Sequence, residues 1–167
     1  MPPPVRCAGP FGIRYRPMSE GDYAFIEALY ASTRADELAP LDWTDAMNRD
    51  FHAQQHRAQH HHYQLHYPDA EWLIIEREGE AIGRLYLAPF PGTLRIVDIA
   101  LIPEMRRRSL GSAILKDVIE LASGQGRGVS IHVEKNNPAR TLYASLGFTV
   151  RADVGAYDLM ERDADRG

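Results

Sequence analysis

The segment 133–148 constrains the fold more than any other part of the chain, and it reads Val-Glu-Lys-Asn-Asn-Pro-Ala-Arg-Thr-Leu-Tyr-Ala-Ser-Leu-Gly-Phe. Asn137 followed by Pro138 predicts a helix start, because asparagine caps helices and proline is tolerated at the first helical position. Gly147 predicts the helix end. The segment therefore predicts a strand end, a short helix and the start of another strand. The apolar face of this helix is predicted to carry Ala139, Leu142, Tyr143 and Leu146.

The rest of the chain predicts a mixed α/β fold. Its first half holds a short strand and two helices, the second of them long and free of Gly and Pro. Strands then dominate, and strand and helix alternate toward the C-terminus, which is typical of one mixed sheet with helices on both faces. The predicted strands are 13–17, 72–77, 81–88, 94–102, 129–133, 148–150 and 157–161, and the predicted helices begin at Ser19 and span 45–66, 110–122 and 137–146.

Length and composition predict one domain and exclude several function classes. We expect a disordered lead-in over 1–11, one domain over 12–162 and a flexible tail over 163–167. The net charge of −4 argues against a nucleic-acid binder. Cys7 is the only cysteine, which excludes an internal disulfide and a cysteine metal cluster and fits a reducing compartment such as the cytoplasm. No apolar run approaches the ~20 residues of a membrane helix.

The loop after the strand 94–102 has the composition of an anion site. A strand, a small-residue loop and a helix start direct free backbone N–H groups toward one point, and three neighbouring arginines add positive charge. A solvated basic turn before an ordinary helix explains this loop, taken alone, equally well. The candidate phosphate-binding residues are Arg106, Arg107, Arg108, Ser109, Leu110, Gly111 and Ser112.

Together, the loop and the segment 133–148 resemble the two cofactor motifs of the GNAT superfamily of acyl-CoA-dependent N-acyltransferases. The loop matches Arg/Gln-x-x-Gly-x-Gly/Ala as Arg106-x-x-Ser109-x-Gly111, and the later motif, Asn-x-x-Ala-x-x-Leu-Tyr-x-x-x-Gly-Phe, runs from Asn136 to Phe148. The resemblance implies a mostly antiparallel sheet splayed between strands 4 and 5. It also implies acetyl-CoA as cofactor, with its pyrophosphate on the loop amides. The strand positions implied to pair with the pantetheine arm are Ile99, Ala100 and Leu101.

Ser109 departs from the family pattern, which usually has glycine at this position. A Cβ atom there narrows the room for a phosphate and is strained where φ is positive. The serine hydroxyl can instead donate a hydrogen bond to a phosphate oxygen. This departure keeps open a second hypothesis, a non-catalytic acyl-CoA-binding or regulatory domain with the same fold.

The resemblance implies that Tyr143 is the general acid and that Asn136 lies near the cofactor. Acyl transfer needs a neutral amine and a protonated leaving thiol, so an acid and a base both help. For the base we rank His132 ahead of Glu134 and Asp98. These residues also have ordinary structural explanations. Tyr143 is then a core aromatic, Asn136 is a turn residue that can exchange roles with its neighbour, His132 is a histidine packed on the sheet, and Asp98 is a paired carboxylate.

The sequence thus predicts an N-acetyltransferase that moves an acetyl group from acetyl-CoA to a primary amine by direct attack in a ternary complex. The acceptor is expected to be a small-molecule or peptide amine, and its identity stays open. We expect no nucleic-acid, membrane or metal partner. Family members are often dimers, so a homodimer is a further expectation from the resemblance.

Six of the seven histidines lie in the long helix. His52, His56 and His60 share one face, and His62 and His66 form a second pair. Such spacing can bind zinc, but we favour a solvated helix face over adventitious metal binding, a pH-dependent lid or a dimer contact. In the family this part of the chain often covers the acceptor site, which implies a part for the helix in substrate selection. Its predicted apolar stripe consists of Met47, Phe51, Ala58 and Leu65.

Overall fold

A computed structural model describes residues 3, 5–38, 44–106 and 109–165 of the protein. Within these ranges the chain forms seven strands and four α-helices. In chain order they are β1 (Ile13–Pro17), α1 (Tyr23–Leu38), α2 (Asp45–His66), β2 (Glu71–Arg77), β3 (Glu80–Phe90), β4 (Thr93–Leu101), α3 (Leu110–Gly124), β5 (Gly128–Glu134), α4 (Arg140–Ser145), β6 (Thr149–Val154) and β7 (Tyr157–Arg162).

The strands form one sheet in the order β1-β2-β3-β4-β5-β7-β6. Only β4 and β5 run parallel, which confirms the predicted mixed, mostly antiparallel sheet. Leu73 and Leu85 belong to the apolar core that includes α3, whereas Tyr86 packs on the opposite face against Tyr63 of α2. Both faces of the central strands are therefore covered, which is why β3 is almost entirely buried.

The sheet opens between β4 and β5. The two strands pair only from Thr93 with Gly128 to Ile96 with Ile131. Val97 is the next residue of β4 and forms a β-bulge against β3. Because a bulge bends its strand and increases the local twist, the bulge accounts for the separation of β4 from β5 beyond this point. The splay predicted between strands 4 and 5 is confirmed.

β3 is longer than predicted. We expected it to end at Ala88, yet it continues to Phe90, and Pro89 pairs with Leu94 of β4. The pairing of β3 with β2 ends at Leu87. The missing N–H of Pro89 therefore removes no bond from the ladder with β2, and proline is accepted in the strand.

The helix predicted over 137–146 is shorter, because α4 begins at Arg140. The Asn137 side chain does cap the chain here, accepting the Ala139 N–H at 2.9 Å. The backbone N–H groups of Arg140 and Thr141 donate to carbonyls three residues earlier, at 3.1 and 3.3 Å. The first turn is therefore 3₁₀-like rather than α-helical.

In the segment before β1, predicted as a disordered lead-in over 1–11, Cys7 and Ala8 contact α3, while residues 1, 2 and 4 lie outside the described part. The N–H groups of Cys7 and Ala8 donate to the Asp117 carboxylate of α3 at 2.8 and 3.2 Å. Tyr15 of β1 donates its hydroxyl to the same carboxylate at 2.8 Å. One buried acid thus anchors the segment to the core.

The long helix α2 has the predicted bounds but buries the other face. Met47 and Leu65 of the predicted apolar stripe are 48% and 66% exposed, whereas His52 and His56 are 5% and 3% exposed. Position 56 lies nine residues after 47, about two and a half turns, which places it on the opposite side of the helix. The prediction of a solvated face for these histidines is therefore wrong, because their rings pack against Tyr30 of α1.

No helix within the described ranges is both long and apolar enough to cross a bilayer.

Candidate active site

A cavity of about 640 Å³ lies in the gap where β4 leaves β5. Its walls come from the diverging ends of both strands, from α2 and from the β6–β7 turn. Because the pairing of β4 with β5 stops at Ile96, the opening follows directly from the bulge at Val97. The side chains that line it include Tyr30, Gln59, His62, Tyr63, Tyr67, Arg84, Asp98, Ile99, Ala100, His132, Glu134, Asn137, Val154 and Tyr157.

The predicted cofactor strand forms one edge of this gap. Ile99 and Ala100 line the cavity, and Leu101 follows them at the end of β4. All three pair with β3 on their other side, through Leu85, Arg84 and Gly83. Beyond Ile96 no strand pairs with the β5 side of β4 within the described residues. An extended ligand can add to such an edge as another strand does.

The loop before α3 has the geometry of an anion site. Ser109 occupies the N-cap position of α3 with φ +62° and ψ +5°, but its side chain makes no capping hydrogen bond. The N–H groups of Leu110, Gly111 and Ser112 stand in the first turn, where no intrahelical carbonyl is available to them. Arg106 stabilises the loop by donating a hydrogen bond from Nε to the Leu101 carbonyl at 3.0 Å. Arg107 and Arg108, also predicted here, lie outside the described residues.

Tyr143 sits on α4 and is 5% exposed. Its ring packs edge-on against Phe148, with the ring centroids 5.7 Å apart. Burial, and secondarily the negative charge of Asp98, raise the pKa of Tyr143 to about 12. The hydroxyl is therefore protonated at neutral pH and able to donate.

The three predicted candidate bases line the same cavity. His132 is exposed on β5, and its Nδ1 lies 3.4 Å from Nη1 of Arg95. Partial desolvation, and secondarily the Arg95 charge, lower the pKa of His132 below its ordinary value, so the imidazole is neutral at pH 7 and able to accept a proton. Glu134 lies two residues further along β5. Asp98 lies on β4 and is bound by an arginine.

That arginine, Arg84 of β3, was missed by the sequence analysis. It is 2% exposed and donates from Nη2 to Asp98 Oδ2 and, at 3.3 Å, to Gln59 Oε1 of α2. The guanidinium lies near two tyrosine rings, 6.0 Å from the centroid of Tyr30 and 5.3 Å from that of Tyr86. A charge within the apolar run 82–88, Ile-Gly-Arg-Leu-Tyr-Leu-Ala, is the sequence signal that points to it.

Helix α2 supplies the wall opposite the strands. Gln59, His62 and Tyr63 line the cavity, and Tyr67 follows the helix end. Burial, and secondarily the charge of Asp98, raise the pKa of Tyr63, so its hydroxyl also stays protonated. These α2 side chains therefore line the same cavity as the candidate bases.

The two neighbouring asparagines are divided between two cavities. Asn137 lines the main cavity, whereas Asn136 lines a smaller one of about 270 Å³ together with Lys135 and Tyr157. The sequence left open which of these two asparagines lies near the cofactor, and the positions of both are compatible with that role.

The histidines of α2 do not gather as metal ligands in the described part of the chain. The group that does bring three potential ligand atoms together there is Cys7, Asp117 and Glu120. Both Asp117 oxygens already accept hydrogen bonds from the protein.

Comparison with known families identifies this arrangement. The family described as Acetyltransferase (GNAT) family matches residues 31–148, more than half of the chain. The chain belongs to the GNAT family. Both cofactor motifs and most of the cavity of this GNAT protein lie inside the matched region, while Tyr30, Val154 and Tyr157 lie outside it.

Individual relatives agree with this assignment. A Bacillus subtilis (strain 168) protein, named as a candidate ribosomal protein bS18-alanine N-acetyltransferase, is 33% identical over 89 residues, covering 52% of this GNAT chain and 59% of that relative. The chain therefore matches less than two thirds of that relative's length.

Solved structures share the fold. The PaiA N-acetyltransferase of Thermoplasma acidophilum, in complex with coenzyme A, has a TM-score of 0.66 at 16% identity over 90% of this chain and 98% of that chain. Ard1 of Thermoplasma volcanium has a TM-score of 0.60 at 19% identity, over 93% and 99%.

Proposed function

We propose that the protein is an N-acetyltransferase that moves an acetyl group from acetyl-CoA to a primary amine within a ternary complex. The observation that carries this proposal is the gap opened by the β4 bulge, which brings His132, Glu134 and Asp98 into one cavity beside an unpaired strand edge. Family membership supports the same reaction.

The residues present fit coenzyme A. The open N–H groups at the start of α3 suit a pyrophosphate, and the edge of β4 over Ile99, Ala100 and Leu101 suits the amide groups of the pantetheine arm. We assign Arg106, Arg107, Arg108 and Asn136 to the same cofactor, with Asn137 as the alternative asparagine. When bound, acetyl-CoA supplies an acetyl group activated as a thioester.

We assign the proton transfers to His132 and Tyr143. A neutral His132 accepts the amine proton, directly or through water. A thiol has a pKa of about 8.5, so complete proton transfer from a tyrosine of pKa about 12 is uphill by roughly 5 kcal/mol. We therefore expect Tyr143 to act mainly by donating a hydrogen bond that stabilises the leaving sulfur.

The acceptor is a small-molecule or peptide amine. The Bacillus subtilis relative is named for the acetylation of an alanine on a ribosomal protein, which supports a peptide amine, although the match covers only part of that relative. The lone cysteine supports the cytoplasm as the compartment. A homodimer is the oligomeric state that we propose to test by mass in solution.

A thermal shift assay with acetyl-CoA, free CoA, ATP and NAD tests the cofactor, followed by an amine screen for CoA release. A ligand at 100 times its Kd adds about 2.7 kcal/mol to the free energy of unfolding. We expect acetyl-CoA and CoA to stabilise the protein and the two nucleotides to have no effect. Stabilisation by none of them, together with background turnover on all amines, would overturn the proposal.

Ser109 favours one alternative, a non-catalytic acyl-CoA-binding domain. Its Cβ stands in a left-handed conformation where the phosphates are expected to approach. This alternative predicts stabilisation by acetyl-CoA with no turnover of any amine, whereas the enzyme requires both.

A further inference from the structure

The buried guanidinium of Arg84 has hydrogen-bonding capacity that the protein does not use. Arg84 lines the cavity, yet its Nε and Nη1 atoms are shielded from water and have no hydrogen-bond partner among the described residues. The Tyr86 hydroxyl is near enough to favour the charged form of Arg84 but makes no well-aligned bond to these atoms. An unpaired buried donor on a charged group costs free energy, so such donors usually bind a partner in the protein or in a ligand.

The charge of Arg84 is already balanced, which decides what kind of partner fits. Asp98 forms a direct ion pair with Nη2. A second carboxylate would leave the single positive charge of Arg84 facing both Asp98 and the new anion, an excess of negative charge in a partly desolvated site. A neutral oxygen acceptor, such as a carbonyl, can accept a hydrogen bond from the guanidinium without adding charge.

The protein itself holds a carbonyl oxygen at this place. Gln59 Oε1 lies 3.3 Å from Nη2, longer than the usual ~2.9 Å of such bonds. Gln59 stands on α2 and lines the same cavity. A ligand carbonyl can therefore replace this weak contact and recover a bond to Arg84 at little loss.

The position of Arg84 in the sheet relates it to the reacting end of the acceptor. Arg84 pairs directly with Ala100, one of the β4 residues proposed to pair with the pantetheine arm. Its guanidinium contacts Asp98 of the same strand β4, and Asp98 and Ala100 both line the cavity. A group held by Arg84 is therefore close to the cofactor edge, which suits a substituent on the carbon next to the amine rather than a remote one.

We propose that Arg84 binds a carbonyl oxygen on the carbon adjacent to the acceptor amine, so that the acceptor is an α-amino amide, either the N-terminus of a peptide or an amino-acid amide. This inference deepens the proposed function and rests on it. An α-amino group has a pKa near ~8 and is partly neutral at pH 7, so such an acceptor also places a smaller demand on the base.

The test compares kcat/KM for glycinamide and for ethylamine, which has a methyl group where glycinamide has its carboxamide, at equal concentrations of neutral amine. We expect the wild type to prefer glycinamide by roughly tenfold or more, and Arg84→Met to lose that preference. Arg84→Lys keeps the charge but not the planar set of donors, and we expect an intermediate preference. The exposed Arg151→Met on β6 is the matched control and should keep the wild-type ratio.

Removing Arg84 leaves the half-buried Asp98 without its ion-pair partner, so the variant can fold poorly. The ratio of two kcat/KM values within one preparation does not depend on the folded fraction. The double variant Arg84→Met/Asp98→Asn removes both charges, and we expect it to show the same lost preference.

Further arms separate the possible outcomes. A preference for triglycine over glycinamide assigns the acceptor to peptide N-termini, and the reverse assigns it to amino-acid amides. A wild type that prefers glycine, with its free carboxylate, or that treats glycinamide and ethylamine alike would overturn the inference while leaving the acetyltransferase intact. Failure on every amine would instead overturn the proposed function.

Discussion

The two faces of the sheet differ in how well they are packed. The α3 face is a continuous apolar core in which Ile114 and Val118 are fully buried. The α1/α2 face buries histidine, arginine and tyrosine side chains beside aliphatic ones such as Ile26 and Leu29. Within the described residues, every buried side-chain polar atom that lacks a hydrogen-bond partner belongs to this second face, on Asn48, His52, His60 and Arg84.

This difference separates two tasks. The α3 face positions β4, the loop before α3 and Tyr143, and a close-packed apolar core holds such geometry rigidly. The α1/α2 face lines the cavity, where each unsatisfied buried polar group costs about 1–3 kcal/mol. We infer that the first face is the scaffold for the cofactor and that the second is the adjustable layer that selects the acceptor.

The largest expected effect lies on the scaffold side. Tyr143→Phe removes the hydroxyl but keeps the packing against Phe148, so we expect kcat to fall by ~10²–10³-fold, as on loss of one donor to a developing charge, with little change in Tm or in the Kd for CoA. Steady-state kinetics and a thermal shift with CoA measure the two effects separately. Unchanged kcat would remove Tyr143 from the chemistry and leave it as a core aromatic.

Acid should unfold the α1/α2 layer before the core. Burial, then the charges of Arg84, His60 and Arg57, lower the pKa of His56 to about 4. The folded pKa lies below the unfolded value of about 6.5, so this contribution is complete above pH 6.5 and is lost as the pH falls toward 4. A shift of this size corresponds to roughly 3 kcal/mol, and the pKa of His60 is lowered in the same direction.

Denaturant unfolding between pH 7 and pH 4.5 measures this contribution in the wild type and in His56→Gln. We expect the variant to lose much less stability on acidification than the wild type. His66→Gln, on the exposed side of α2, is the control and should follow the wild type. Parallel curves for His56→Gln and the wild type would show that the layer is not an acid-sensitive element.

Substitution of the proposed base, His132, is expected to have a smaller effect on activity. We expect His132→Gln to lower kcat/KM by roughly 10- to 100-fold and to flatten the acidic limb of the pH profile, because His132 acts as a base only above its lowered pKa. The exposed Glu120→Gln on α3 serves as a control. An unchanged limb in His132→Gln would transfer the role to Glu134, to Asp98 or to water.

The smallest expected effect tests the phosphate loop. Ser109→Gly relieves a left-handed backbone at a residue with a Cβ, so we expect a gain of about 1 kcal/mol in stability or in CoA binding, which is roughly fivefold in Kd. Ser109→Ala keeps the strain and removes the hydroxyl. If CoA binds more weakly to both variants than to the wild type, the hydroxyl contact outweighs the strain.

The loop before α3 and the start of α4 were largely predictable from the sequence because their signals are local. Ser109 does have the positive φ for which strain was expected, and Asn137 does accept a backbone N–H at the start of α4. Glycines, caps and prolines act within a few residues of themselves, so their spacing carries the geometry. The bulge at Val97 had no such signal, although the family resemblance implied the splay that it produces.

The α1/α2 side of the sheet could not be predicted from the sequence in the same way. The hydrophobic pattern of α2 placed Met47 and Leu65 inward, yet the helix buries His52 and His56, because Tyr30 of α1 offers them aromatic partners. The role of Arg84 is visible only in the structure, where Asp98 of another strand and Gln59 of a helix accept its hydrogen bonds.

The sequence by itself determined the order of the elements, the GNAT motifs and the location of the arginine-rich loop before α3, since these depend on residues that are neighbours along the chain. The tertiary structure alone decided which face of α2 is buried and which groups line the cavity. A buried polar side chain is stable only with partners, and those partners lie far away in the sequence.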